Sequence, residues 1–94
     1  MNNIKNLELR ENILLEEFIC NGNDIIELDL GNNIKLINID CSFNNIKTLD
    51  INNNFYLEVC NFSKNKLSSL ITKKNNALLE LLCFNNNILE LDLE

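Results

Sequence analysis

Leucine and asparagine recur in this chain at intervals of 21 residues, and this period constrains the fold more strongly than any other feature. A fixed period of this length is typical of a solenoid in which each repeat forms one coil. The period predicts how the chain is built and says little about chemistry, so a function must be sought on the surface. The columns are Leu15, Leu36, Leu57 and Leu78; Asn23, Asn44, Asn65 and Asn86; and Leu7, Leu28, Leu49, Leu70 and Leu91.

The same period divides the chain. With 94 residues there is room for one domain, which we expect to comprise a half coil at 1–14, repeats at 15–35, 36–56 and 57–77, and a partial repeat at 78–94. No stretch approaches the roughly 18 apolar residues of a membrane span, and the polar start at 1–3 lacks the order of a secretion signal. We expect a cytoplasmic protein, or an extracellular one if the chain is a fragment.

Apolar residues alternate with other residues at the start of each repeat. Phe18 and Cys20 are predicted to share one face of a strand, with Ile19 on the opposite face. One such strand per repeat predicts four parallel strands that bury one side. Leu28 and Leu30 repeat the alternation later in the coil, which predicts a second wall with the core between the two.

Eight of the 21 asparagines form two unbroken columns, one of them given above. Their amides can donate to and accept from turn backbone groups that would otherwise be buried without a partner. Stacking of coils then predicts an asparagine ladder in each column. The second column is Asn12, Asn33, Asn54 and Asn75.

The repeat reads L-x-x-L-x-C-x-x-N-x-I followed by x-x-L-D-L-x-x-N, as in residues 15–33, where Phe18 takes the second leucine position. From Ile4 to Glu94 this pattern resembles the short, 21-residue, bacterial-type repeat of the leucine-rich repeat family. The resemblance implies a right-handed coil with a parallel β-sheet on the concave face and short extended segments, with few or no helices, on the convex face. It also implies that the exposed side of the sheet is the binding surface.

All four cysteines are predicted to point inward. Cys20, Cys41 and Cys83 share a column that Phe62 interrupts, and Cys60 lies on the apolar phase. Stacked coils about 4.8 Å apart would bring Cys20 within disulfide range of Cys41, although parallel side chains rarely offer the required dihedral angle. Without histidine or a C-x-x-C pair, we favour buried free thiols over a disulfide or zinc.

Charge is uneven along the chain. The net charge is −6, but repeat three carries four of the eight basic residues, which predicts either a solvated face or a belt that guides a partner. Asn76 replaces the apolar residues of its column, which predicts poorer packing in that repeat.

A column of acidic residues suggests a calcium site, but without a D-x-D-x-D-G run we expect backbone-bonding or solvated carboxylates and no metal. That column is Glu8, Asp29, Asp50 and Asp92.

The exposed face of the predicted sheet is our candidate partner-binding surface. Its apolar members, of which Leu82 and Phe84 are the most promising pair, are candidate anchors in a polar surround. The face comprises three columns: Glu17, Asn38, Val59 and Glu80; Ile19, Asp40, Asn61 and Leu82; and Asn21, Ser42, Ser63 and Phe84.

Two functions from different classes are consistent with the sequence. The first is a module that binds another protein through the strand face. The alternative is a structural or self-assembling element, or a fragment of a larger surface or scaffold protein, whose uncapped ends or strand face join copies into a homo-oligomer. No catalytic residues, cofactor or membrane partner are expected, because there is no histidine and no glycine-rich phosphate loop, and the acidic balance disfavours nucleic acid.

Overall fold

The computed structural model describes residues 7–72, 74–87 and 90–92. This part of the chain contains six short β-strands and no helix, and so no helix that could cross a membrane. Local propensity at residues 11–19, rich in leucine and glutamate, would favour a helix, but stacking of repeats prevails. The strands are β1 (Glu17–Ile19), β2 (Asn38–Asp40), β3 (Val59–Asn61), β4 (Ser69–Ile71), β5 (Glu80–Leu82) and β6 (Glu90–Asp92).

Four of the strands form the main sheet, and all pairs in it are parallel. Their order is β1-β2-β3-β5, and each strand lies one period from its neighbour, so Phe18 pairs with Ile39, Ile39 with Cys60 and Cys60 with Leu81. The parallel sheet that the repeat predicts is therefore confirmed. Because the register never shifts, equivalent residues of successive coils form straight columns.

The opposite wall is thinner and only partly hydrogen-bonded as a sheet. There β4 pairs in parallel with β6, which places Ser69 opposite Glu90. Leu28 and Leu30 of an earlier coil are buried, while Glu27 and Asp29 are exposed, as the alternation predicts. The core lies between the two walls and consists of leucine, isoleucine, cysteine and Phe62, many of them with no exposed surface.

The first asparagine ladder joins each coil to the one before it. Asn65 donates to the carbonyl of Phe62 in its own coil at 3.1 Å and to that of Cys41 in the preceding coil at 2.9 Å. Its Oδ1 accepts from the N–H of Ile46 at 3.0 Å. Asn44 and Asn86 repeat the arrangement. Asparagine is needed here because its amide donates and accepts at once.

In the second ladder the buried asparagines donate hydrogen bonds, but their side-chain oxygens accept none within the described residues. Asn54 Nδ2 donates to the carbonyls of Leu30 and Asn33 at 3.1 and 2.9 Å, and its neighbours in the ladder do the same. The Oδ1 atoms of Asn33, Asn54 and Asn75 are buried and have no hydrogen-bond partner within the described residues. This ladder is therefore the less satisfied of the two.

A tight turn follows each asparagine of the second ladder, for example where the N–H of Leu15 donates to the carbonyl of Asn12 at 3.2 Å. The turn points the next two side chains away from the core, so Ile13, Ile34 and Phe55 are exposed. The expectation that Asn76, in the same column, impairs packing is therefore wrong, because the column does not face the core.

Candidate functional site

The strand face carries side chains that bond to one another at its centre. Asn38 Nδ2 donates to Glu17 Oε2 at 3.1 Å across two neighbouring strands. Asp40 and Asn61 each turn a side-chain oxygen toward the backbone two residues ahead, at 3.0 and 3.1 Å. The middle of the face is thus polar, and part of its hydrogen-bonding capacity is used internally.

Two residues of the predicted face are not on it. Ser42 is 5% exposed and Ser63 is 1% exposed. The chain turns inward after β2 and β3, since Ser42 donates its N–H and its hydroxyl to Asp40 Oδ1 at 3.0 and 2.7 Å, and Asn61 receives the Ser63 N–H in the same way. The alternation of the strand does not extend to this position in the middle coils, so the prediction of exposed Ser42 and Ser63 is wrong.

The other ten predicted residues divide by exposure. Glu17, Ile19, Asn21, Glu80, Leu82 and Phe84 are exposed, and Asn38, Asp40, Val59 and Asn61 are half-buried. The apolar anchors lie in the outer coils, because Ile19 is 52% exposed and Phe84 is 56% exposed, whereas Val59 is covered more by its neighbours. Leu82 is 37% exposed and lies on the same coil as Phe84.

One column at the edge of this face is held in the left-handed backbone region. Its members are residues 22, 43, 64 and 85, with φ of 75° at Gly22, 56° at Phe43, 57° at Lys64 and 54° at Asn85. Glycine and asparagine take this conformation at little cost, whereas a bulky side chain there is unusual. Phe43 and Lys64 are therefore the strained members of the column.

Sequence reasoning missed Phe43 and Lys64 as surface residues of the site. Phe43 is 52% exposed, and the ammonium of Lys64 lies 4.8 Å from the centre of its ring. The N–H of Lys64 in turn donates to the carbonyl of Phe84 at 2.8 Å in the next coil. Glycine at position 22 and asparagine at position 85 are residues that favour the left-handed region. The sequence could therefore have indicated that Phe43, in the same column, is an unusual residue for its backbone conformation.

These residues define an aromatic edge of the strand face, made of Phe43, Lys64 and Phe84. Acidic side chains from Glu17, Asp40 and Glu80 lie on the strands themselves. The face therefore combines apolar anchors, negative charge and one cation at its edge.

No cluster of three or more potential ligands from histidine, cysteine, aspartate and glutamate exists among the described residues. In the acidic column, Glu8 bonds to Arg10 at 2.6 Å, and this hydrogen bond lowers the pKa of Glu8. Asp29 and Asp50 accept backbone N–H groups at 2.9 and 2.8 Å. The carboxylates of Asp29 and Asp50 thus accept hydrogen bonds from turn backbone, and the side chain of Asp92 lies outside the described part of the structure.

The four cysteines are free thiols, three of them buried. Burial, then the neighbouring thiols of Cys20 and Cys60, raise the pKa of Cys41 far above its ordinary range. Burial, then proximity to Cys83, raises the pKa of Cys60 to about 12. Cys41 and Cys60 are thus neutral parts of the core, and thiolate chemistry at these two residues is suppressed.

No model of a known protein family matches the sequence, and no curated protein matches it. Among solved structures, the functional domain of InlJ from Listeria monocytogenes, which includes a cysteine ladder, superposes with a TM-score of 0.86 at 27% sequence identity. InlJ is a leucine-rich repeat protein. This chain has a leucine-rich-repeat-like fold. The match covers 98% of this chain and 23% of that one.

A leucine-rich-repeat-like fold generally mediates protein–protein interaction and is typically not enzymatic. The cysteine ladder of InlJ is similar to the asparagine ladder of this chain. A cysteine column is present too, but Phe62 interrupts it. The likeness therefore supports the fold and the class of function, and leaves the ligand to the surface residues.

Proposed function

We propose that this chain is a protein-binding module that presents the strand face to its partner, with repeats of the short, 21-residue, bacterial type. The observation that carries the proposal is the aromatic edge, where Phe43 stays exposed at a strained left-handed position. Strained backbone persists where surrounding structure enforces it, and it clusters at functional sites. The Phe43 ring is not part of the hydrophobic core, and the contact that it makes is with the Lys64 ammonium at the surface.

The chemistry of the face indicates the kind of surface that it fits. Phe43, Phe84 and Leu82 supply apolar anchors of the type that dominate interface energetics. Glu17 and Glu80 add negative charge at the strand starts, which favours a partner with apolar and basic groups. We expect the half-buried polar residues Asn38, Asp40 and Asn61 to exclude water beside these anchors.

Titration of the purified partner tests this proposal once affinity capture from source cells has identified that partner. The double variant Leu82→Ser/Phe84→Ser should weaken binding at least tenfold, equivalent to about 1.4 kcal/mol, with the circular dichroism spectrum unchanged. The matched control is Ile26→Ser/Ile71→Ser, which removes two exposed apolar side chains from the other wall. Equal affinity of the strand-face variant and the wild type would refute the proposal, as would loss of binding in the control.

Self-assembly remains the alternative function and makes a different prediction. End-to-end contact would require the terminal coils, where Leu9 is buried and Leu93 lies outside the described residues. No observation on the described coils favours that mode over partner binding. It would be supported if capture yields only further copies of this chain.

A further inference from the structure

A second apolar surface lies away from the strand face. The tight turns of the second ladder leave the side chains on either side of each ladder asparagine at the surface, and four coils align them in a stripe that we call the rim. The rim comprises residues 11, 13 and 14; 32, 34 and 35; 53, 55 and 56; and 74, 76 and 77, of which all but the half-buried residue 77 are exposed. Its apolar members are Ile13, Leu14, Ile34, Phe55 and Tyr56, with Leu14 70% and Tyr56 61% exposed. Such a contiguous exposed stripe is typical of an interaction surface.

Charge along the rim is distributed so that its two ends are complementary. Glu11 and Lys74 occupy the same column three coils apart, and both are exposed. Between them in that column, Asn32 and Asn53 donate to backbone carbonyls of the preceding coils at 3.3 and 3.2 Å. One end of the column is therefore acidic, the other basic and the middle neutral.

We propose that the rim binds the rim of a second copy of this chain, in an antiparallel dimer with a two-fold axis running across the coils. This axis opposes the first rim step with the fourth and the second with the third, as an isologous interface requires. Glu11 then faces Lys74 of the second copy on both sides of the axis. Ile34 meets Phe55, and the ammonium of Lys35 meets the ring of Tyr56, a favourable cation–π pair.

The other two-fold arrangement is disfavoured by the same charges. An axis along the solenoid opposes each coil with itself, which brings the two Glu11 side chains into one coil layer and the two Lys74 side chains into another. Like charges so placed weaken an interface and select against that orientation. The antiparallel dimer alone brings no like charges together along the column.

The size of the rim sets the strength of the association. Coils stacked about 4.8 Å apart make a four-step rim only about 15 Å long, so its contact area falls well below the about 800 Å² per partner of a standard interface. The dimer is therefore weak, forms at high protein concentration and dissociates as salt rises, because its orienting charges are exposed.

Sedimentation velocity on the whole chain between 10 µM and 1 mM tests the dimer. The wild type should rise from 10.9 kDa toward about 22 kDa, while Glu11→Lys and Lys74→Glu should each weaken dimerisation at least tenfold. Mixing the two variants should restore it, because the mixed pair again opposes Lys with Glu at both sites. Phe55→Ser should weaken dimerisation, and the control Ile26→Ser/Ile71→Ser on the other wall should behave as the wild type.

Three outcomes would overturn the proposed dimer. A wild type that stays at 10.9 kDa up to 1 mM shows that the rim does not bind itself. Association that neither charge reversal weakens places the contact elsewhere, for example at the ends of the solenoid. Charge-reversed variants that weaken the dimer but are not rescued by mixing exclude the antiparallel arrangement. These variants leave the strand face intact, so the result is independent of partner binding.

Discussion

Asn65 accepts a hydrogen bond of 3.0 Å from the backbone N–H of Ile46, 19 residues earlier in the chain. No other acceptor serves that N–H within the described residues. The asparagine therefore closes a turn in one coil from a position in the next, which links the stacking of coils to the satisfaction of their buried backbone groups.

We expect the two asparagine ladders to differ in their contribution to stability. Asn65→Ala leaves the buried N–H of Ile46 without an acceptor and should lower the free energy of unfolding by about 3 kcal/mol or more. Asn54→Ala should lower it by only about 1 kcal/mol, because the carbonyls of Leu30 and Asn33 keep their backbone donors and an unpaired Oδ1 disappears. Urea unfolding of both variants measures the difference, and equal losses would contradict the asymmetry.

Much of the fold follows from the sequence because stacking converts a chemical period into a geometric one. Phe18, Ile39, Cys60 and Leu81 share a phase in the sequence and pair directly in the sheet. The first ladder is equally predictable, since only an amide both donates and accepts at the point where each strand turns inward. Local helix propensity at residues 11–19 misleads because it ignores the neighbouring coil.

The surface is harder to predict, because turn geometry decides it. Alternation places Ser42 outside, yet it is buried, in a turn where its backbone N–H donates to Asp40 Oδ1. Alternation says nothing about Phe43, whose exposure results from a left-handed residue. The turn after Asn33 likewise exposes Ile34, whose apolar character would suggest burial. Periodicity identifies equivalent positions, and backbone conformation decides where they point.

The pH dependence of stability should report the buried thiols. The folded state raises the pKa of Cys60 from its ordinary value of 9.0 to about 12, so folding favours the protonated form. Its contribution to stability is complete below pH 9 and is lost as pH rises toward 12. In that window the free energy of unfolding of the wild type should fall more steeply than that of Cys60→Ala, by up to about 1.4 kcal/mol per pH unit. Urea unfolding at pH 8, 9.5 and 10.5 provides the comparison, and parallel slopes would contradict it.

Phe43→Asn should separate stability from binding. Asparagine adopts left-handed φ more readily than phenylalanine, so the variant should match or exceed wild-type stability by up to about 1 kcal/mol. Loss of the ring should nevertheless weaken partner binding about tenfold. Thermal unfolding and titration with the partner measure the two effects. If the variant loses stability and keeps its affinity, the phenylalanine serves the fold and not the site.

Completing the cysteine column should destabilise the protein. Phe62 has no exposed surface and is among the largest fully buried side chains. Phe62→Cys would leave a cavity in a close-packed core, at a cost of about 2–4 kcal/mol. Chemical denaturation measures this loss, with exposed Phe55→Cys as the matched control, for which we expect less than about 0.5 kcal/mol. A stable Phe62→Cys variant would show that stacked thiols compensate for lost volume.

Site-specific photo-crosslinking tests the role of the strand face most directly. A photoreactive residue at position 84 or 43 should crosslink the bound partner, while the same residue at position 26 or 71, on exposed parts of the other wall, should not. We expect crosslinking to be confined to positions 84 and 43. Crosslinking from positions 26 and 71 with none from 84 and 43 would show that the partner binds elsewhere.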